Sequence, residues 1–318
     1  MKVLILGGAG FIGYHLARSL SASSDRVTVC DNLSRGKMDN EFSSLCKKGN
    51  VRFITADLTL DKGFQELERD YDCVYHLAAI NGTRYFYEIP DRVLKTNILV
   101  VLNFLEWLVK IKYQAKLVWL SSSEAYAGGY NLTNMPIPTP ETVPLIIEDV
   151  FNPRFSYAGS KIAGELLCIN YAKQHRFSLS IVRPHNIYGP RMHEEHVIPE
   201  LILRIIKKQN PFKLYGGQQS RSFCYIDDFI KGITLVAGSG KSKGEIINIG
   251  NDEEITIQDL AKKMFDLFGF HPQIESLPAP QGSVARRCPD INKARGLLGY
   301  APEVELEEGL KRTYEWYL

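Results

Sequence analysis

Val3-Leu4-Ile5-Leu6-Gly7-Gly8-Ala9-Gly10-Phe11-Ile12-Gly13 begins with an apolar run of four residues, passes through a glycine-rich turn and opens an amphipathic stretch reaching residue 21. Gly8, Gly10 and Gly13 satisfy G-x-G-x-x-G directly after a strand pattern and at the start of a helix pattern. In that context the missing side chains let backbone N–H groups and a helix N-terminus approach a pyrophosphate. Gly7, Gly10, Phe11, Ile12 and Gly13 are thus candidate dinucleotide contacts. Beyond the turn, Asp31 ends the next strand pattern 18 residues past Gly13, where a carboxylate can accept from a ribose 2′-OH and repel a 2′-phosphate. This favours NAD over NADP, although Arg35 is a cation able to accommodate such a phosphate and keeps the second cofactor open.

Further along, short β-branched runs at 26–30, 51–55, 73–77, 116–121, 179–183 and 245–249 alternate with longer amphipathic stretches at 91–112 and 156–174. Strands separated by crossover helices predict an α/β fold, a doubly wound parallel sheet of the Rossmann type. From residue 186 the rhythm loosens into Pro and Gly punctuation before a terminal helix at 306–317. Residues 1–185, joined by 224–250, are expected to form the NAD-binding domain. Residues 186–223 and 251–318 are expected to form a smaller, mainly C-terminal substrate-binding region.

Bulk properties exclude several classes. With 45% hydrophobic and 11% aromatic residues among 318, the chain can fill a packed core, so disorder is excluded. A formal charge of +2 with acids and bases intermixed offers no footprint for nucleic acid or an anionic membrane. No apolar stretch approaches the ~20 residues of a membrane span. Cys30, Cys46, Cys73, Cys168, Cys224 and Cys288 show no C-x-x-C spacing, which predicts neither a metal site nor a disulfide framework and points to a reducing, cytoplasmic compartment.

The chemistry lies mid-chain. Tyr157 and Lys161 form the one Tyr-x-x-x-Lys of the sequence, and four residues apart on a helix they share a face. There the ammonium can lower the phenol pKa and make Tyr157 a base for oxidising an alcohol. His15 reads as helix surface and His76 as a strand end.

The ordered set Gly7-x-x-Gly10-x-x-Gly13, Asp31-Asn32-Leu33-Ser34, Asp57-Leu58, His76-Leu77-Ala78-Ala79, Asn97, Ser121-Ser122-Ser123-Glu124, Tyr157/Lys161, Arg183-Pro184-His185-Asn186-Ile187-Tyr188-Gly189-Pro190-Arg191 and Gly216-Gly217-Gln218-Gln219-Ser220-Arg221-Ser222-Phe223 spans nearly the whole chain. It resembles the extended short-chain dehydrogenase/reductase superfamily, and within it the NAD-dependent nucleotide-sugar epimerases, dehydratases and decarboxylases. The resemblance implies NAD as cofactor, a nucleotide-diphosphate sugar as substrate and a homodimer. It puts Asp57 and Leu58 beside the adenine, with Leu77, Ala78 and Ala79 along the cofactor and Asn32 and Asn97 among its contacts. Lys161 would hold the nicotinamide ribose, Ser122 the sugar 4-OH, and Tyr157 would take the proton as C4 is oxidised to a ketone. Asn186 would lie near the diphosphate, with Arg221 as a phosphate clamp and Arg191 on the substrate side.

Glu124 governs the step after oxidation. Simple 4-epimerases of this family carry no acid or base there, whereas enzymes acting at C5 or its substituent do. The dehydratases pair such a Glu with an Asp, and here Ser123 stands instead. Ser123-Glu124 resembles the Ser-Glu of uronic-acid decarboxylases, and Arg287 aligns with their active-site arginine. The stretches 185–190 and 278–282 resemble sugar 3,5-epimerases, whose Cys and Lys are replaced by Glu124 and Val197. That leaves His196 as a second acid/base candidate or a solvated loop histidine. The expected activity is an NAD-dependent nucleotide-sugar epimerase with a transient 4-keto intermediate and a later step at C5 by Glu124. The alternatives are a uronic-acid decarboxylase, then a 4,6-dehydratase; a non-catalytic NAD-binding regulator is the reading from a different class.

Overall fold

Seven of the apolar runs form one parallel sheet: β1 (Lys2–Leu6), β2 (Arg26–Asp31), β3 (Val51–Thr55), β4 (Cys73–His76), β5 (Lys116–Leu120), β6 (Ser178–Pro184) and β7 (Ile246–Ile249). The computed structural model describes residues 1–23, 25–132, 135–279 and 283–318. Strand order across the sheet is β7-β6-β5-β4-β1-β2-β3, every neighbouring pair parallel. Successive side chains in a strand point to opposite faces, and β1 shows the result. Val3 and Ile5 enter one apolar core while Leu4 and Leu6 enter the other. This is the doubly wound Rossmann architecture that the alternation of runs predicts.

The helices that position the site are α1 (Phe11–Ala22), α2 (Asn40–Cys46), α3 (Thr83–Glu88), α4 (Pro90–Lys110), α5 (Phe155–His175), α6 (Val197–Ile206), α7 (Ile226–Gly238), α8 (Ile257–Phe268) and α9 (Leu306–Tyr317). Helices α4 and α5 pack side by side on one face of the sheet, and α1 and α7 lie on the other. Residue Arg176, in the left-handed conformation at φ 64°, ends α5.

Beyond residue 186 the chain is more ordered than its punctuation suggested. Ile198, Leu201, Ile202 and Ile205 make a buried helical stripe on α6 despite Pro199, which sits in the first turn, where a missing N–H costs no intrahelical bond. Three short strands, Glu254–Thr256, Ser220–Ser222 and Arg286–Arg287, form a small sheet. Runs of two or three residues are too brief to show a period. Thr139 bridges to Pro289, tying the 139 region to the substrate side.

Contrary to expectation, His15 is not at the surface: it is buried, its Nε2 donates to the Pro190 carbonyl at 3.0 Å, and burial takes its pKa down to about 4. The 3,5-epimerase-like stretch 278–282 is described only at 278–279, and residues 280–282 lie outside the described residues.

Candidate active site

In open α/β sheets a ligand crevice forms where the strand order reverses, beyond the carboxyl ends of the strands. Here the reversal lies between β1 and β4, and a cleft of about 460 Å³ opens there. Gly7, Gly10, Phe11, Ile12 and Gly13 form its floor. Asp31 and Asn32 line it at the end of β2, Asp57 and Leu58 after β3, and Leu77, Ala78 and Ala79 after β4. The glycines are sterically required. Gly7 has φ +79°, and a Cβ there would stand 2.7 Å from the Ala78 backbone; at Gly13 it would stand 2.4 Å from Gly8 Cα. Asp31 accepts from the Ala9 and Leu33 backbone N–H groups at 3.0 and 2.8 Å, and burial raises its pKa against those bonds.

This cleft fits a dinucleotide. The N-terminus of α1 starts at Gly10 without a side-chain cap, so its N–H groups face the cleft. Arg191 corrects the expectation of a substrate-side role: it lines this cofactor cleft instead. Its guanidinium lies 4.0 Å over the Tyr14 ring and 2.9 Å from Asp39, and its buried Nη1 has no acceptor among the described residues. An anion there would satisfy both features. Asn97, expected among the cofactor contacts, is buried and not among the residues lining the cleft; it accepts from Ile80 N–H at 2.7 Å and donates to the Ile80 carbonyl and to Ser160, and so braces the chain after β4.

Adjoining this cleft, a second cavity of about 610 Å³ brings together Ser122, Ser123, Glu124, Tyr157, Lys161, Asn186, His196, Arg221 and Arg287. They arrive from distant parts of the chain. Ser122 comes after β5 in extended backbone and accepts from Glu124 N–H at 3.1 Å. Tyr157 and Lys161 face inward on the first turns of α5, both buried. Tyr157 lies beside Ser122, whose hydroxyl works to lower the phenol pKa, and stacks on Phe86 of α3 at 4.8 Å. Lys161 donates to the Leu120 carbonyl at 2.7 Å and lies 5.7 Å from the Tyr157 ring centre. Burial brings Lys161 down to about 8. The expected lowering of the phenol by Lys161 is not found: burial pushes Tyr157 above its ordinary value, opposed chiefly by the Ser122 hydroxyl and by the charge of Arg35.

Glu124 is gripped from two sides. Arg154, just before α5, donates through Nη2 at 2.9 Å and 3.0 Å and through Nε at 3.2 Å, and Arg287 donates through Nη1 at 2.7 Å. Burial alone would raise the carboxyl; the two guanidinium groups outweigh it and hold Glu124 at about 2. It is a fixed anion, not a proton carrier poised near neutrality. Sequence reasoning missed Arg154, whose one signal is its position three residues before Tyr157 at the entry to the same helix.

Arg287 is 6% exposed, and its Nε and Nη2 have no acceptor among the described residues. It pairs in register with Arg221 across the small sheet, so both point to one face. Arg221 is held by the Ser220 and Val284 carbonyls at 2.7 and 2.6 Å, with no carboxylate within 4.0 Å among the described residues. Burial and the Arg287 charge lower it to about 10. Asn186, at φ 41°, donates to the Ser222 carbonyl at 2.9 Å. His196 caps α6, and burial with the Arg35 charge takes it to about 4, so it is neutral at pH 7. Among the described residues no group of three or more His, Cys, Asp or Glu could hold a metal, and no helix is long and apolar enough to cross a membrane.

A Rossmann sheet with a dinucleotide cleft beside a Ser/Tyr/Lys cavity defines an NAD-dependent enzyme of the extended short-chain dehydrogenase/reductase superfamily. The sequence model of the NAD dependent epimerase/dehydratase family matches residues 3–250, and the chain belongs to that family. It is 34% identical to the UDP-N-acetyl-alpha-D-glucosaminuronate decarboxylase of Bacillus cytotoxicus, over 99% of this chain and 97% of that protein. It is 33% identical to UDP-glucuronic acid decarboxylase 1 of Xenopus tropicalis, over 99% of this chain and 72% of the relative. Among solved structures, UDP-glucuronic acid 4-epimerase from Bacillus cereus, in complex with UDP-glucuronic acid and NAD, is similar with a TM-score of 0.85. Its identity is 31%, over 99% and 98% of the two chains. The UDP-glucose 4-epimerase of Thermotoga maritima with UDP-glucose has a TM-score of 0.87 at 30% identity, over 100% and 98%.

Proposed function

We propose that the protein is an NAD-dependent decarboxylase of nucleoside-diphosphate uronic acids, UDP-linked by likeness to its relatives. The observation that carries this reading is the free edge of Arg287. Buried and held by Glu124 through Nη1 alone, Arg287 keeps its Nε and Nη2 without an acceptor among the described residues, and that edge is a ready bidentate fork for a carboxylate. A neutral hexose would offer that edge no opposite charge. The reading departs from the epimerase expected from sequence, and the decarboxylase relatives fit it better.

Bound in the cleft, the nicotinamide supplies a hydride acceptor for C4 and returns the hydride at the end. The chain's own residues do the rest. Ser122 holds the 4-OH and Tyr157 takes its proton. Lys161 anchors the cofactor ribose beside it. Once C4 is a ketone, the C5 carboxylate is β to it, so breaking the C5–carboxylate bond releases CO₂ and leaves the electron pair as an enolate over C4 and C5. A proton then enters at C5. Glu124, held ionised, has no proton to give; it fixes Arg287, and Arg287 fixes the departing carboxylate. Arg221 and Asn186 hold the diphosphate.

We also propose that two copies pair through α4 and α5, and that six free thiols, five of them buried, suit a cytoplasmic site of action. The test of the activity is incubation with UDP-glucuronic acid and UDP-N-acetylglucosaminuronic acid, read by mass and NMR. Loss of CO₂ with formation of a pentose nucleotide supports the reading. An unchanged mass with inversion at C4 overturns it in favour of an epimerase.

A further inference from the structure

We infer that the last turn of α9, through Trp316 and Tyr317, forms an outer wall of the cofactor cleft and sets how long NAD stays bound. The inference rests on the cofactor alone and not on the proposed decarboxylation. Both residues line the cleft that holds Gly10 and Asp31, although they come from the opposite end of the chain and from outside the dinucleotide-binding strands.

Each ties α9 to a different rim. The Tyr317 phenol donates to the Met192 carbonyl, in the segment lying over both the cofactor cleft and the sugar cavity. The Trp316 indole N–H reaches the Glu41 carboxylate at 3.4 Å, on α2 at the far rim. The two rings meet edge to face at 4.8 Å, so the wall is continuous. Arg191 connects the same rims a second time, pairing with Asp39 at 2.9 Å and standing 4.0 Å from Glu41.

The helix beneath is anchored. Tyr314 stacks on Phe268 of α8 at 3.9 Å, Lys263 pairs with Glu307 at 2.5 Å, and Leu310 is fully buried. The tip is therefore a fixed wall rather than a fraying end. Asp31 marks the adenosine-ribose side of the cleft, and the Glu41 contact puts the indole on that side. A dinucleotide leaving by this edge must part the Tyr317–Met192 and Trp316–Glu41 contacts. An enzyme whose cofactor is oxidised and reduced within one turnover gains from slow exchange.

The test measures release of radiolabelled NAD from the full-length holoenzyme into excess unlabelled NAD. Tyr317→Phe removes one half-buried hydrogen bond and keeps the ring, and should speed release by roughly ten-fold. Trp316→Ala opens the wall and should speed it by at least as much, while Trp316→Phe should restore part of the difference. Glu315→Ala, an exposed neighbour on the same turn, should leave release unchanged. Melting curves taken in saturating NAD check that each variant folds. Unchanged release in both Tyr317→Phe and Trp316→Ala overturns the inference. Equal acceleration in Glu315→Ala overturns it too, because it would show helix loosening rather than loss of a wall.

Discussion

Glu124 sits between Arg154 and Arg287, and acid tests that arrangement directly. Its carboxyl is held at about 2, against an ordinary 4.5 in the unfolded chain. A depressed folded pKa gives stability that is present above pH 4.5 and lost as pH falls toward 2. The melting-temperature gap between the parent and Glu124→Gln should therefore be widest near neutrality and shrink over that interval; a gap independent of pH would remove the ion pairs from the account. At neutral pH the same variant takes the carboxylate away from the buried Arg287 guanidinium and should cost about 3–5 kcal/mol. Its chemistry should also divide. Hydride transfer from C4 needs Ser122, Tyr157 and Lys161 but not Glu124, so absorbance of reduced nicotinamide should rise and persist, while CO₂ release slows by ~10²-fold or more as Arg287 loses its anchor. Normal turnover in Glu124→Gln would make the residue structural. Tyr157→Phe should show the converse, with NAD retained and oxidation lost by ~10²–10⁴-fold, read as absence of any reduced-nicotinamide signal on mixing with substrate.

Among the elements, the turn from β1 into α1 and the end of β2 act together on the cofactor. Asp31→Ala removes the carboxylate that accepts from Ala9 and Leu33 and should narrow the preference for NAD over NADP, measured as the ratio of their dissociation constants. An unchanged ratio would displace Asp31 from the ribose. The contact of α5 with β5 is equally specific. A Cβ at Gly164 would stand 2.5 Å from the Trp119 ring, and that ring lies 4.9 Å from the Lys161 ammonium. Gly164→Ala should therefore cost about 1–3 kcal/mol in denaturant unfolding and lower turnover by shifting Lys161. Full stability in that variant would show that the ring can move aside. Elements of this length were legible because strand and helix periods persist over enough residues to be counted. The two- and three-residue strands carrying Arg221 and Arg287 were not.

In the complete fold α4 and α5 pack side by side, and Leu94 of α4 and Leu166 of α5 are 40% and 59% exposed. Two copies packing there as four helices would cover both. Light scattering should report a dimer at micromolar concentration and Leu166→Arg a monomer; a monomeric parent would end this part of the proposal. The order of residues was enough to specify the sheet, the glycine turn, the cofactor and the Tyr157/Lys161 pair, because each depends on residues a few positions apart and on a repeating period. It also named Glu124 and Arg287. The part Glu124 plays emerged in three dimensions alone, because its charge state depends on Arg154 and Arg287, 30 and 163 residues away. The same holds for Arg191, turned toward the cofactor, for Asn97, used as a brace, and for Trp316 and Tyr317, carried back to the cleft by α9. Burial and electrostatic partnership are properties of neighbours in space. No periodicity along the chain records them.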